Sequence, residues 1–371
     1  MKFTVPSAEL LSRLSTISGA IITNPVLPIL LDFHFRIEGN TLYLTATDLE
    51  TSITTSMDIK SDKDGSVAIP ARILMDTLKQ LPEQPVTISA DEGNFNIEIT
   101  SNYGSYKLAG ENGDEFPKIP SAEGVEKTNI PADKLSNAIG RTLFATSNDE
   151  LRPAMSGVFF QVEFKKIVFV ATDAHKLVKY ALTNIASETE SSFIIPTKAL
   201  NLLKGILPSE GDVQLSYNRN YAFFNFDDVS LACRLIDAKF PDYNAVIPTE
   251  NPNVMTVSKR DFQNSLKRIA IYANKTTNQV VFNIGKNNLT ISAQDLDFSN
   301  EAKEEMACDY NGDAMGIGFN AKFLIEMLGV LQSDDVELRM SKPTTASILM
   351  PKEKPEDEDV LMLLMPVMLS T

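Results

Sequence analysis

Two periodicities run along the chain. Apolar residues alternate with polar ones in "TLYLTA" from Thr41, "VTISA" from Val86, "NFNIEIT" from Asn94 and "YAFFNF" from Tyr221, with Gly, Asn and Asp between such runs. This period of two marks half-buried strands joined by turns. Elsewhere the period is 3.6. In 259–273, Phe262, Leu266, Ile269, Ala270 and Ala273 fall at i, i+4, i+7, i+8 and i+11, one buried stripe of a helix, while Arg260, Gln263 and Lys267 share another face.

These patterns recur. An opening strand runs into a helix at "FTVPSAELLSRL" (Phe3), "TNIPADKLSNAI" (Thr128) and "MTVSKRDFQNSL" (Met255). A strand ends in Ala-x-Asp at "LYLTATDLE", "VFVATDAHK" and "LTISAQDLD". A second strand and helix follow at "VAIPARILMDTLKQL", "FIIPTKALNLLKGIL" and "IGFNAKFLIEMLGVL". Ala46, Ala171 and Ala293 are 125 and 122 residues apart, and Pro70, Pro196 and Asn320 are 126 and 124 apart. One period at separate anchors predicts three repeats, 1–121, 122–250 and 251–371, divided at the Pro-punctuated segments 115–124 and 239–253. Each repeat reads as two helices on one face of antiparallel sheet, an α+β fold. The charged, Pro-bearing segment 351–360 reads as a solvated loop or flexible hairpin tip.

Composition adds little until charge is mapped. The chain has 371 residues, 43% hydrophobic and 22% charged, as expected of a soluble globular protein. No apolar run follows Lys2, so a secretion signal is not expected, and "VLMLLMPVML" at 360–369 is too short to span a bilayer. Cys233 and Cys308 have neither metal-ligand spacing nor a disulfide framework around them, which suits a reducing cytoplasm. The net charge of −15 argues at first against nucleic acid. The six repeated helical segments, however, carry 12 basic and 5 acidic residues, a net of +7, which leaves −22 for everything else. Arg13, Arg72, Lys79, Lys134, Arg141, Lys198, Lys204, Arg260 and Lys267 lie on them. Lysines and arginines often do no more than solvate a helix. Six equivalent basic helices in an acidic chain point further, to a regular polyanion bound through phosphates and hence without sequence preference.

The chain resembles the bacterial sliding clamps, the beta subunit of the DNA polymerase III holoenzyme. The resemblance spans the whole length, on "MKFTV", "LPIL" at 27–30, "TDLE" at 47–50, "IPAR" at 69–72, "ATDAHKL" at 171–177, "KFPDY" at 239–243, "IGFN" at 317–320 and "MP" at 365–366. It implies a ring of two chains joined head to tail, with basic helices lining a hole through which duplex DNA passes. It implies a processivity factor without catalysis, cofactor or metal, which tethers the polymerase catalytic subunit, the clamp loader and other partners.

By the same resemblance, a groove for partner peptides maps onto Met155, Thr172, Ala174, His175, Lys176 and Leu177, with Pro241, Ala245 and Val246 from the second linker and Leu363, Leu364, Met365, Val367 and Met368 near the C-terminus. Arg152, Phe323 and Ala346 map onto a neighbouring subsite. Tyr106 and Leu108 on one side, and Ile271 and Tyr272 on the other, map onto the ring interface; read as residues alone, they serve equally well as ordinary strand or core positions. The chain departs from the family pattern at Ala154, often aromatic, at Ala245, often arginine, and in its ending "MPVMLST". Asn24 stands among the DNA-facing positions where some relatives have an arginine.

Two other functions fit part of the sequence. Asp173, His175 and Thr172 could form a hydrolytic site, but no nucleophile elbow, H-E-x-x-H or phosphate-binding loop accompanies them, and Asp48 and Asp295 recur without a histidine. A repeated Asp at the end of a strand is more simply a turn residue. A monomeric peptide-binding scaffold would keep the groove but leave the basic helices unexplained.

Overall fold

A computed structural model describes residues 1–61, 63–122, 126–185, 187 and 189–369; residues 123 and 124 of the first linker and the final Ser370 and Thr371 lie outside these. The contacts divide the chain into two compact units, Met1–Asp133 with Lys198–Leu235, and Lys134–Thr197 with Ile236–Thr371. Six α-helices occur among the described residues: α1 (Ser7–Ile17), α2 (Ala71–Gln80), α3 (Ala132–Thr142), α4 (Thr197–Ile206), α5 (Lys259–Ile269) and α6 (Ala321–Val330).

Among the described residues each unit holds one four-stranded and one nine-stranded sheet, antiparallel throughout. In the first unit, Lys2–Pro6, Pro85–Ala90, Asn96–Ser101 and Gly104–Ala109 make the small sheet. The large sheet joins two repeats where Val229–Arg234 pairs with Thr51–Asp58. In the second unit the small sheet runs Asn300–Ala307, Asn288–Asp295, Gln279–Ile284 and Met315–Asn320. Its large sheet joins two repeats where Lys176–Thr183 pairs with Glu358–Leu364. Strand pairing thus crosses the repeat boundaries, which is why a threefold sequence period yields two contact units.

The predicted stripe of α5 is buried except at Ala270, which is half-buried. Phe262, Leu266, Ile269 and Ala273 are 0–1% exposed, with the Phe262 ring 5.6 Å from Phe282. Helices start where a strand ends in Pro, Asn or, before α5, Ser258, whose hydroxyl accepts from the Asp261 amide. Pro6 and Pro70 close a strand at a fixed φ, and Asn320 accepts hydrogen bonds from the Lys322 and Phe323 amides. Lys79, Arg141, Lys204, Lys267 and Arg268 occupy last turns, where the helix dipole favours cations.

Segment 351–360 is the tip of a hairpin between the antiparallel strands Ser347–Pro351 and Glu358–Leu364, one of the two forms expected, and 352–356 are exposed; Glu358, however, is 4% exposed against α3.

Candidate functional site

The Ala-x-Asp repeat is a turn. Thr47 Oγ1 donates to the Thr51 carbonyl and accepts from the Leu49 amide, while Asp48 Oδ1 accepts from the Glu50 and Thr51 amides. Thr172 and Asp173 repeat this atom for atom with the Lys176 carbonyl and the Ala174, His175 and Lys176 amides. In the third copy Asp295 Oδ1 accepts from the Asp297 amide. Leu49 and Ala174, the residues after the aspartates, take φ of 77° and 76°. Asp173 Oδ2 is 2.9 Å from the Lys176 ammonium, and the His175 ring lies beside Phe323 at 6.4 Å. With both carboxylate oxygens and the Thr172 hydroxyl engaged in the turn, no acid–base–nucleophile relay forms here.

The residues expected to form a peptide groove all belong to the second unit. Thr172, Leu177 and Leu363 lie side by side on adjacent strands. Leu177, Leu363 and Ala346 share an apolar cluster with Phe240, Tyr243, Val170 and Ile194, against which Ala154, Phe159 and Ile247 pack. The linker is pinned from within. Phe240 stacks on Phe159 at 4.7 Å and the Tyr243 hydroxyl donates to Gln161 Oε1 at 2.8 Å, beside a cavity of about 490 Å³. Pro241, Ala245 and Val246 of the same segment face solvent. The C-terminal segment closes another side, with the Met365 amide donating to the His175 carbonyl (3.0 Å) and the Val367 amide to the Gly318 carbonyl (2.8 Å). A Cβ at Gly318 would lie 2.6 Å from the Val367 oxygen, so this approach requires glycine. Met365 and Met368 are 43% and 69% exposed. Met155 is half-buried, its amide bonded to the Arg152 carbonyl, and Arg152 is held by Asp149 at 2.8 Å.

Strand alternation separates two residues from this set. Leu364 and Lys176 are directly paired neighbours of Leu363 and Leu177, and therefore point to the opposite sheet face. Leu364 is fully buried, and the Lys176 ammonium sits 4.2 Å over the Phe323 ring and 3.4 Å from Glu326 on α6. Both lie on the sheet face opposite Leu177 and Leu363. Phe159, Phe240 and Tyr243, which were not among the expected residues, pack with Leu177 and Leu363; the i, i+3 aromatics of "KFPDY" were the signal for the last two.

The expected DNA-facing cations divide into two groups. Arg72, Lys79, Lys204, Arg260 and Lys267 are exposed, and so is Asn24. Arg13 is paired with Asp228 and Lys198 with Asp48, while Lys134 lies 3.0 Å from both Asp357 and Glu358. Arg141 is 6% exposed, bound to Glu358 and Gln332 with its guanidinium 5.1 Å over the Tyr180 ring. As placed, Arg141 is turned into the protein and presents no charge to a phosphate.

The four expected interface residues sit at sheet edges or beside them. Tyr106 and Leu108 are half-buried on the edge strand Gly104–Ala109 of one unit. In the other, Ile271 and Tyr272 are 65% and 43% exposed, and Leu296 and Phe298, which sequence reading did not single out, are 78% and 73% exposed near the edge strand Asn300–Ala307.

Repeated helix-backed antiparallel sheets, joined across repeats by strand pairing, define the class of DNA clamps. Family models for the N-terminal, central and C-terminal domains of the DNA polymerase III beta subunit match residues 1–120, 129–242 and 244–368. The chain belongs to that family, the bacterial beta sliding clamps. It is 29% identical to the beta sliding clamp of Synechococcus elongatus over 95% of this chain and 96% of that one. It is 26% identical to the beta sliding clamp of Vibrio cholerae over the full length of both. Among solved structures, the beta subunit of Thermotoga maritima superposes with a TM-score of 0.90 at 26% identity, covering 100% of each chain. The Pseudomonas aeruginosa sliding clamp solved bound to griselimycin does so at 0.93 and 26%, again over 100% of each.

Proposed function

We infer that this chain is a processivity factor. Two copies close head to tail into a ring around duplex DNA, hold it without sequence preference, and tether the DNA polymerase III catalytic subunit, the clamp loader and other partners. The observation that carries the reading is the run of three consecutive beta-subunit domains over nearly the whole chain. Its physical counterpart is the basic balance of the helices in an acidic protein. Tethering raises the polymerase's effective concentration at the primer end without any chemistry by the clamp.

The groove of Met155, Thr172, Leu177, Pro241, Val246, Ala346, Leu363, Met365 and Met368, with Ala174, His175, Ala245 and Val367 around it and Arg152 and Phe323 beside it, is the proposed dock for partner peptides. An apolar floor rimmed by exposed methionines supports this, because methionine adapts to varied apolar side chains. Ala154 and Ala245 make it less aromatic and less basic than the family pattern. No helix among the described residues is long and apolar enough to cross a membrane, and the reading places the protein in the cytoplasm with the replication machinery.

The test is topological. Loaded on a nicked circular duplex, the protein stays bound, and it is released when the circle is cut. Equal loss from circle and linear DNA defeats the clamp reading and favours a scaffold that only binds peptides.

A further inference from the structure

Carboxylates fixed elsewhere in the same unit already hold several of the helix cations. In the first unit Arg13 on α1 is paired with Asp228 and Lys198 on α4 with Asp48. In the second, Asp357 and Glu358 hold Lys134 on α3, and Glu358 also holds Arg141. Arg72, Lys79, Lys204, Arg260 and Lys267 have no ion-pair partner among the described residues.

The acidic partners are rigidly placed. Asp48 is 5% exposed in its side chain; its Oδ1 anchors the turn and its Oδ2 meets Lys198. Asp228 precedes the strand Val229–Arg234; its carbonyl accepts from the Ser56 amide at 3.2 Å and its Oδ2 from Thr55 Oγ1 at 3.4 Å. Glu358 begins the strand that pairs with Lys176–Thr183. Such groups face their cations at a high effective concentration that bulk salt does not match.

We propose that these carboxylates are built-in competitors for phosphate, which occupy helix cations so that DNA in the ring meets fewer free charges than the helices carry. The inference rests on the clamp reading and extends it to how weakly the duplex is held. A free lysine releases condensed counterions from DNA when it meets a phosphate, and each such contact steepens the salt dependence of binding by about 0.9. A lysine already paired with a fixed aspartate must break that pair first and adds little to the slope. The unpaired set would then hold the duplex near the ring wall while the paired set leaves it free to slide.

The experiment compares wild type with the double variant Asp48→Asn/Asp228→Asn. An amide at 48 keeps the Oδ1 acceptor that the turn needs and removes the charge facing Lys198. Affinity of the full chain for a short fluorescent linear duplex is followed by anisotropy across a salt series. The expected result is several-fold tighter binding at low salt and a slope steeper by about 2, two contacts at about 0.9 each. A second double variant, Glu38→Gln/Glu92→Gln, removes carboxylates paired with Arg36 and Lys63 away from the helices, and has the same net charge. A slope for Asp48→Asn/Asp228→Asn equal to wild type, or equal to the Glu38→Gln/Glu92→Gln control, overturns the proposal. If the double variant melts well below wild type, Asp48→Asn alone reads the same effect as a steepening of about 0.9. Failure of wild type to stay on nicked circles overturns the clamp reading itself, and is a different observation from equal slopes.

Discussion

Ala174 shows what one residue carries. It follows Asp173 in the turn and takes a φ of 76°, which an L side chain adopts at roughly 1–2 kcal/mol because its Cβ crowds the next carbonyl. Glycine removes that strain but gives back about 0.5–1 kcal/mol in unfolded-chain entropy. Ala174→Gly is therefore expected to stabilise the protein by about 0.5–1 kcal/mol, read as a higher denaturation midpoint with an unchanged m-value. A lower midpoint would mean that the Ala174 methyl packs against something the turn needs. Residue-level chemistry was partly legible in the sequence. The threefold Asp announced a turn, and the turn is there. The division of Leu363 from Leu364 follows from strand alternation, but placing the faces required knowing which neighbours pair, Leu177 with Leu363 and Lys176 with Leu364. That register is a tertiary fact.

At the scale of elements, helices and strands were largely readable because period and burial agree, as the α5 stripe shows. The acidic hairpin tip was readable as well, but the contact its Glu358 makes was not. Five carboxylates and two prolines in 351–360 look solvated, and nothing local reveals that Glu358 meets α3, more than two hundred residues earlier in the chain. Burial alone would raise the Glu358 pKa, but hydrogen bonds from Lys134 and the charge of Arg141 outweigh it and hold the carboxylate below its ordinary 4.5. A hydrogen bond from Lys134 likewise lowers Asp357. A carboxylate lowered on folding stabilises above the unfolded value and loses that contribution as pH falls through the folded one. Wild type should thus lose stability below about pH 4.5 partly through this cluster. Glu358→Gln should lose about 3–5 kcal/mol at neutral pH, because Arg141 is left buried without a counter-charge. The variant should also show a shallower acid limb. Urea midpoints at pH 7 and in the acid range check both; parallel acid limbs would show that the pair contributes nothing to the pH dependence.

For the molecule as a whole, the contrast between +7 on the helices and −22 elsewhere was in the sequence, and the two-unit division of contacts was not, since strands of different repeats choose each other only in the fold. Assembly is proposed from exposed edges. Among the described residues Gly104–Ala109 and Asn300–Ala307 end their sheets, and the outward backbone groups of such edges invite strand addition from another chain. Ile271, Tyr272, Leu296 and Phe298 supply exposed apolar surface in the unit that holds the second edge, and Tyr106 and Leu108 lie on the first. One edge on each copy meeting the other edge of its partner twice closes a ring, whereas the same contact left unclosed would propagate. A charge placed in the centre of such a contact should cost about 2–4 kcal/mol of association per interface, the range of buried apolar anchors. Ile271→Asp is accordingly expected to shift the light-scattering mass from two chains to one at micromolar concentration. Because Ile271 is 65% exposed in the single chain, the melting temperature should barely move. Retention on nicked circles should be lost with the ring, while peptide binding to the groove persists. A dimeric Ile271→Asp that still stays on circles would place the interface elsewhere.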